Sequence, residues 1–199
     1  MPCISAPASR WRGTCDSGGQ AALLANYERS RDWEHAALIA EKLESSGQGS
    51  FKGRLAHYLC EQAGTLTATR QEAEAYALLE EAMQIAPDAP RPRMDLARMH
   101  AASGQAARAY ATLADAMQAA PSAVGLIAPL LAQQATAAGQ AQGALRLLQD
   151  VYASSRSLDV LDAIVALEAA GPQPEATARE WYARHLETEP SLVAAAKWI

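Results

Sequence analysis

Residues 90–121 read PRPRMDLARMHAASGQAARAYATLADAMQAAP. Leu96, Ala97 and His100 come first, Ser103-Gly104 makes a break, Ala109, Leu113 and Ala116 follow, and Pro121 closes the stretch. Large and small apolar residues three and four apart mark two amphipathic helices, and the break between them is short enough to turn the chain back on itself. Alanines at 97, 109 and 116 let the two helices approach closely, while Leu96 and Leu113 fill the space between them. Gly104 supplies the left-handed conformation that ends the first helix, and Pro121 stops the second.

The same order recurs on both sides. Leu23, Leu24 and Tyr27 precede Arg31-Asp32-Trp33 and Ala36; Leu59, Ala63 and Leu66 precede Ala75, Leu79, Ala82 and Pro87. Beyond the central stretch, Leu130 and Leu131 precede Gly139, Ala144, Leu148 and Val151, and Val165 and Ala166 precede Gly171, Ala178, Tyr182 and Pro190. The small residue of each second helix therefore falls at Ala36, Ala75, Ala109, Ala144 and Ala178, in steps of 39, 34, 35 and 34. A helix–turn–helix unit repeating at ~34 residues is the signature of the tetratricopeptide repeat, TPR. The longer first step is taken up by the Gly/Ser-rich SSGQGSFKG, residues 45–53. The expected fold is all-α: a right-handed superhelical TPR solenoid of about five repeats. A tail over 1–19 leads into an array over 20–199, with repeats near 21–50, 54–89, 90–123, 124–157 and 158–190 and a partial helix at 191–199.

Composition agrees. Half the residues are apolar but only 6% are aromatic, and a chain dominated by Ala, Leu, Glu, Gln and Arg favours helix over strand. A net charge of −5 argues against a general nucleic-acid binder, which needs a basic footprint. Cys3, Cys15 and Cys60 are odd in number and form no CxxC pair, so neither a structural zinc site nor a disulfide scaffold is expected. No apolar run approaches the ~20 residues needed to cross a bilayer, and the chain reads as soluble and cytoplasmic.

Residues 1–19 lack helical periodicity and are rich in Pro, Gly and Ser, which predicts a disordered tail; no apolar segment follows the charges to make it a signal peptide. Pro129 falls inside the first helix of the fourth repeat, so that helix either starts late or is kinked, at a cost of about 3 kcal/mol. After Pro190 the sequence SLVAAAKWI starts another first helix. With Leu192, Val193, Trp198 and Ile199 it leaves little polar surface for a terminal cap, and the array is expected to have been longer than this chain.

Three segments carry a more specific likeness. ALLANYERSRDWEHAALIAEKLESSGQ (22–48), LAHYLCEQA (55–63) and EPSLVAAAKWI (189–199) resemble the TPR region of the bacterial lipopolysaccharide assembly protein B family. In the middle segment His57, Cys60, Glu61 and Ala63 match the family's I-A-H-F-Y-C-E-L-A position by position. The resemblance implies an adaptor, held at the cytoplasmic face of the inner membrane, that directs a membrane AAA protease to the deacetylase of lipid A synthesis and so regulates lipopolysaccharide biosynthesis. The family's anchor helix and the paired CxxC motifs of its rubredoxin-like metal module have no counterpart among these residues.

His57, Cys60 and Glu61 stand at i, i+3 and i+4, where one helical face could present all three as a metal or redox site. The alternative, which the lack of a fourth nearby ligand favours, is a packed thiol and a hydrogen-bonded histidine, with no metal and no cofactor. The first helices of a TPR array line its concave face, where peptides bind, and His57, Cys60, Arg91, Met94 and Arg98 are the candidate partner-binding residues there. The two arginines suit an acidic segment, although a solvated charged face is an equal reading. Gly125, Ala128, Ala132 and Ala135 make the later part of that face small and apolar. Trp181, Tyr182 and His185 read as helix-interface core, and Glu80, Glu81, Asp159 and Asp162 as surface carboxylates. No phosphate loop, nucleophile elbow or HExxH pair occurs, so a non-catalytic scaffold is expected. Two rivals are the TPR portion of a glycosyltransferase-type protein, for whose catalytic domain five repeats leave no room, and a co-chaperone-like adaptor. The latter needs a Lys/Asn-rich carboxylate clamp, and the chain has only Lys42, Lys52 and Lys197.

Overall fold

A computed structural model of the chain describes residues 17–47, 49–169 and 173–198. They contain eleven α-helices and one short 3-10 turn, with no strand among the described residues. The helices fall into two compact units divided at Pro87 and Asp88. The first unit holds α1 (Ser17–Ser30), α2 (Trp33–Ser45), α3 (Lys52–Ala68) and α4 (Glu72–Ile85). The second holds α5 (Pro90–Ala102), α6 (Ala106–Ala119), the 3-10 turn Pro121–Ala123, α7 (Val124–Ala137), α8 (Ala141–Ser155), α9 (Leu158–Glu168), α10 (Pro174–Thr188) and α11 (Leu192–Trp198).

Each of the first four hairpins joins its helices through the same backbone turn. Arg31, Arg70, Gly104 and Gly139 have φ values of 56, 63, 73 and 68°. At Gly104 the N–H donates to the Ala101 carbonyl (3.0 Å), and the next N–H, of Gln105, donates to the His100 carbonyl (2.8 Å). The equivalent pairs occur at Arg31/Asp32, Arg70/Gln71 and Gly139/Gln140. This is the Schellman arrangement, which satisfies the last carbonyls of the first helix. Five residues after each left-handed residue comes the small residue of the second helix: Ala36, Ala75, Ala109 and Ala144 are all fully buried. Ala178 is half-buried, and Gly171, the expected turn of that hairpin, lies outside the described residues.

Three of the five repeats are ended by a proline. Ala86, Ala120 and Glu189 adopt closely similar φ/ψ (−132/82, −129/68 and −130/85°), each directly before a proline. The proline ring disfavours the helical region for the residue ahead of it, so the second helix ends there. The first and fourth repeats have no such proline and end instead on left-handed residues, Gly47 at φ 72° and Arg156 at φ 51°.

In the first unit the core gathers Leu24, Ala36, Ala40, Leu43, Leu55 and Tyr58, with Trp33 and Phe51 against its edge. In the second it runs from Ala97 and Leu113 through Ile127, Leu131 and Leu148 to Ile164 and Tyr182. There α7 packs against α6, α8 and α9, so the first helices of successive hairpins lie side by side.

Three details correct or refine the sequence reading. Helix α1 begins at Ser17, so residues 17–19 are helical, while the rest of the expected tail, with Cys3 and Cys15, lies outside the described residues. Helix α7 does not start late: it runs through Pro129, whose missing N–H leaves the Gly125 carbonyl without its partner four residues on. A Cβ at Gly125 would come within 2.9 Å of Asp159 Oδ2 and 3.2 Å of Ser157 Oγ at the start of α9, side-chain ends that would have to turn aside.

Candidate functional site

The side-by-side packing of α5, α7 and α9 leaves space on one side of the second unit because the residues facing it are short. Between α7 and α9 is a cavity of 440 Å³ walled by Pro129, Ala132 and Thr136 from one helix and Asp162, Ala163 and Leu167 from the other. A second cavity, of 130 Å³, lies where α5, α6 and α7 meet and is lined by Met94, Ala97, Arg98, Ala101 and Leu130. Gln133 lines both, at the boundary between the two. Gln133 is exposed and carries an amide, a donor and an acceptor together, suited to the main chain of a bound segment.

Each cavity has a single charged residue in its lining. At the α5 end, Arg98 Nη1 donates to Asp95 Oδ1 at 2.6 Å, and Arg91 Nε reaches the other oxygen of the same carboxylate at 3.4 Å. Two guanidinium groups thus share one aspartate, the only acidic residue of that helix. At the α9 end, Asp162 accepts hydrogen bonds from the Tyr182 hydroxyl (2.7 Å) and from Lys197 of α11. The Tyr182 hydroxyl is pushed up from its ordinary pKa, first by burial and then by that carboxylate, so it stays protonated and donates.

Among the expected partner-binding residues, Arg91, Met94 and Arg98 thus lie together on α5, with Met94 and Arg98 lining the smaller cavity. The first-unit pair separates. His57 is exposed, 4.0 Å from Glu61 through its Nε2 and edge-on to the Trp33 ring at 5.7 Å. Cys60 is only 2% exposed, a packed thiol, while His57 on the same helix is open to solvent. Among the described residues, no group of three or more His, Cys, Asp and Glu is placed to hold a metal ion. Of the small residues expected on the later face, Ala132 lines the larger cavity; Ala128 and Ala135 are fully buried between helices, and Gly125 lies against the Asp159 side chain of α9.

Tyr182 and His185 are buried, as interface residues should be, and each is tied across helices: His185 Nδ1 lies 2.7 Å from the Tyr152 hydroxyl. Trp181 donates from Nε1 to Glu168 at 2.7 Å. His100, also buried, has its pKa lowered by desolvation first and by the nearby Arg108 second, so it is neutral at pH 7. Sequence reasoning missed Gln133 and Asp162 as site residues. The partners of Asp162 lie on α10 and α11, beyond the reach of any local spacing rule.

The geometry defines a helical-hairpin repeat with an open, small-residue recess on its first helices. Residues 66–133 match the family model of the tetratricopeptide repeat. No curated protein sequence matches the chain. Among solved structures, the chain is similar to a MamA RS-1 double mutant at 12% identity, covering 87% of this chain and 94% of that one with a TM-score of 0.50. It is also similar to the TPR-like repeats of a Podosopora anserina putative kinesin light chain (21% identity, 87% and 97% covered, TM-score 0.48). A thermophilic TPR protein of Thermus thermophilus gives 16% identity, 91% and 96% coverage and a TM-score of 0.47. The likeness is one of all-helical TPR fold. Among the described residues, no helix is long and apolar enough to cross a membrane.

Proposed function

We propose that the chain is a non-catalytic protein-binding scaffold that captures a segment of another protein in the recess over α5, α7 and α9. The observation that carries this reading is the pair of small-residue cavities walled by Ala97, Ala132 and Ala163, with Gln133 lining both, on the side formed by the first helices. Short side chains there create a concavity that a partner's apolar residues fill, with exclusion of water as the driving term. Arg91, Met94 and Arg98 contribute its α5 end, and His57 remains a candidate contact on the first unit. The test is Gln133→Trp, which fills the junction from an exposed position. Partners cross-linked to the wild-type chain should be lost in this variant at unchanged helicity; retention of all of them would place capture elsewhere.

The finer reading is an adaptor in the control of lipopolysaccharide synthesis, at the cytoplasmic side of a bacterial inner membrane, with a membrane AAA protease and the lipid A deacetylase as partners. It is supported by the likeness of residues 22–48, 55–63 and 189–199 to the lipopolysaccharide assembly protein B family. Expression of the chain in a Gram-negative host should change the steady-state level of that deacetylase, and Gln133→Trp should abolish the change. A deacetylase level indifferent to the chain would remove this reading and leave the scaffold intact.

A further inference from the structure

We draw no further inference here: the strongest candidate, the open cavity between α7 and α9, carries nothing beyond the scaffold reading, because Asp162, the one charged residue in its wall, is already held by Tyr182 and Lys197 and nothing in the structure shows what covers the apolar remainder.

Discussion

In the first unit the two helices of each hairpin are joined through an arginine, Arg31 or Arg70, held in the left-handed region; in the second, Gly104 and Gly139 occupy the same place. All four positions make the same pair of backbone hydrogen bonds, and all precede the buried alanine by the same five residues. The turn is thus imposed by how closely the paired helices must pack, and glycine makes it easier without being required. Both units place rings between helices: Trp33 stacks on Tyr58 at 5.9 Å in the first, and Tyr152 meets Trp181 edge-on at 6.0 Å in the second. In the second, the α7–α9 side, with Ala132, Ala163 and Ala166 in its wall, stays open. One repeat plan therefore tolerates filled and open helix contacts.

The strongest way to break this comparison is to overfill the position that the units share. Ala109→Trp puts an indole where a methyl group is fully buried and should cost about 3 kcal/mol or more. Amide hydrogen exchange should show lost protection in residues 88–199, and Ala36→Trp should do the same in the first unit. Unchanged protection in either variant would contradict the shared close approach. Next in size is Pro129→Ala. Restoring an N–H opposite the Gly125 carbonyl should stabilise α7 by about 1–3 kcal/mol in urea unfolding. It would also remove part of the recess wall, so tighter folding should come with weaker partner capture.

Smaller effects separate the two kinds of turn. Gly104→Ala forces a Cβ into the left-handed region and should destabilise by about 1 kcal/mol. Arg70→Gly relieves that strain but loosens the unfolded chain, for a net gain of about 0.5 kcal/mol. If both substitutions destabilised equally, the left-handed turn in the first unit would have to be held by the arginine side chains themselves.

The repeat itself was legible because its signals are local. A left-handed residue, an alanine five positions later and a closing proline all sit within one hairpin, and helix period supplies the rest. The recess was legible only in part. Met94, Arg98 and Ala132 were accessible to a template that asks which face a first helix presents. Cys60 reads from sequence both as a packed thiol and as a candidate contact, because a template fixes the angle around a helix but not how deeply its neighbours cover that angle. Gln133 and Asp162 were invisible for a different reason. The value of Gln133 lies in two cavities meeting, and that of Asp162 in Tyr182 and Lys197 arriving from later helices. Neither fact exists until helices distant in sequence are packed together.

The smallest predicted effect concerns a device found in one unit only. Helix α2 is the one second helix of the described hairpins with a side-chain N-cap: Asp32 accepts from the His35 backbone N–H at 3.3 Å and meets its Nδ1 at 2.8 Å. The Asp32 hydrogen bond, followed by its charge, raises the His35 pKa above the ordinary 6.5. The same His35 side-chain hydrogen bond lowers Asp32 below 3.8, against a smaller opposing effect of desolvation. A raised histidine contributes stability that is complete below 6.5 and is lost as pH climbs through the raised value; a lowered aspartate contributes above 3.8 and loses it as pH falls through the lowered one. The cap should therefore be strongest between about pH 3.8 and 6.5, with both side chains exposed and the effect screened by salt. Amide exchange in the first turn of α2, compared between wild type and His35→Gln, should differ at about pH 5.5 and converge as pH climbs past the raised histidine value. A difference that persists unchanged at the alkaline end would mean the histidine acts through its stacking on Tyr27, at 5.2 Å, rather than through its charge.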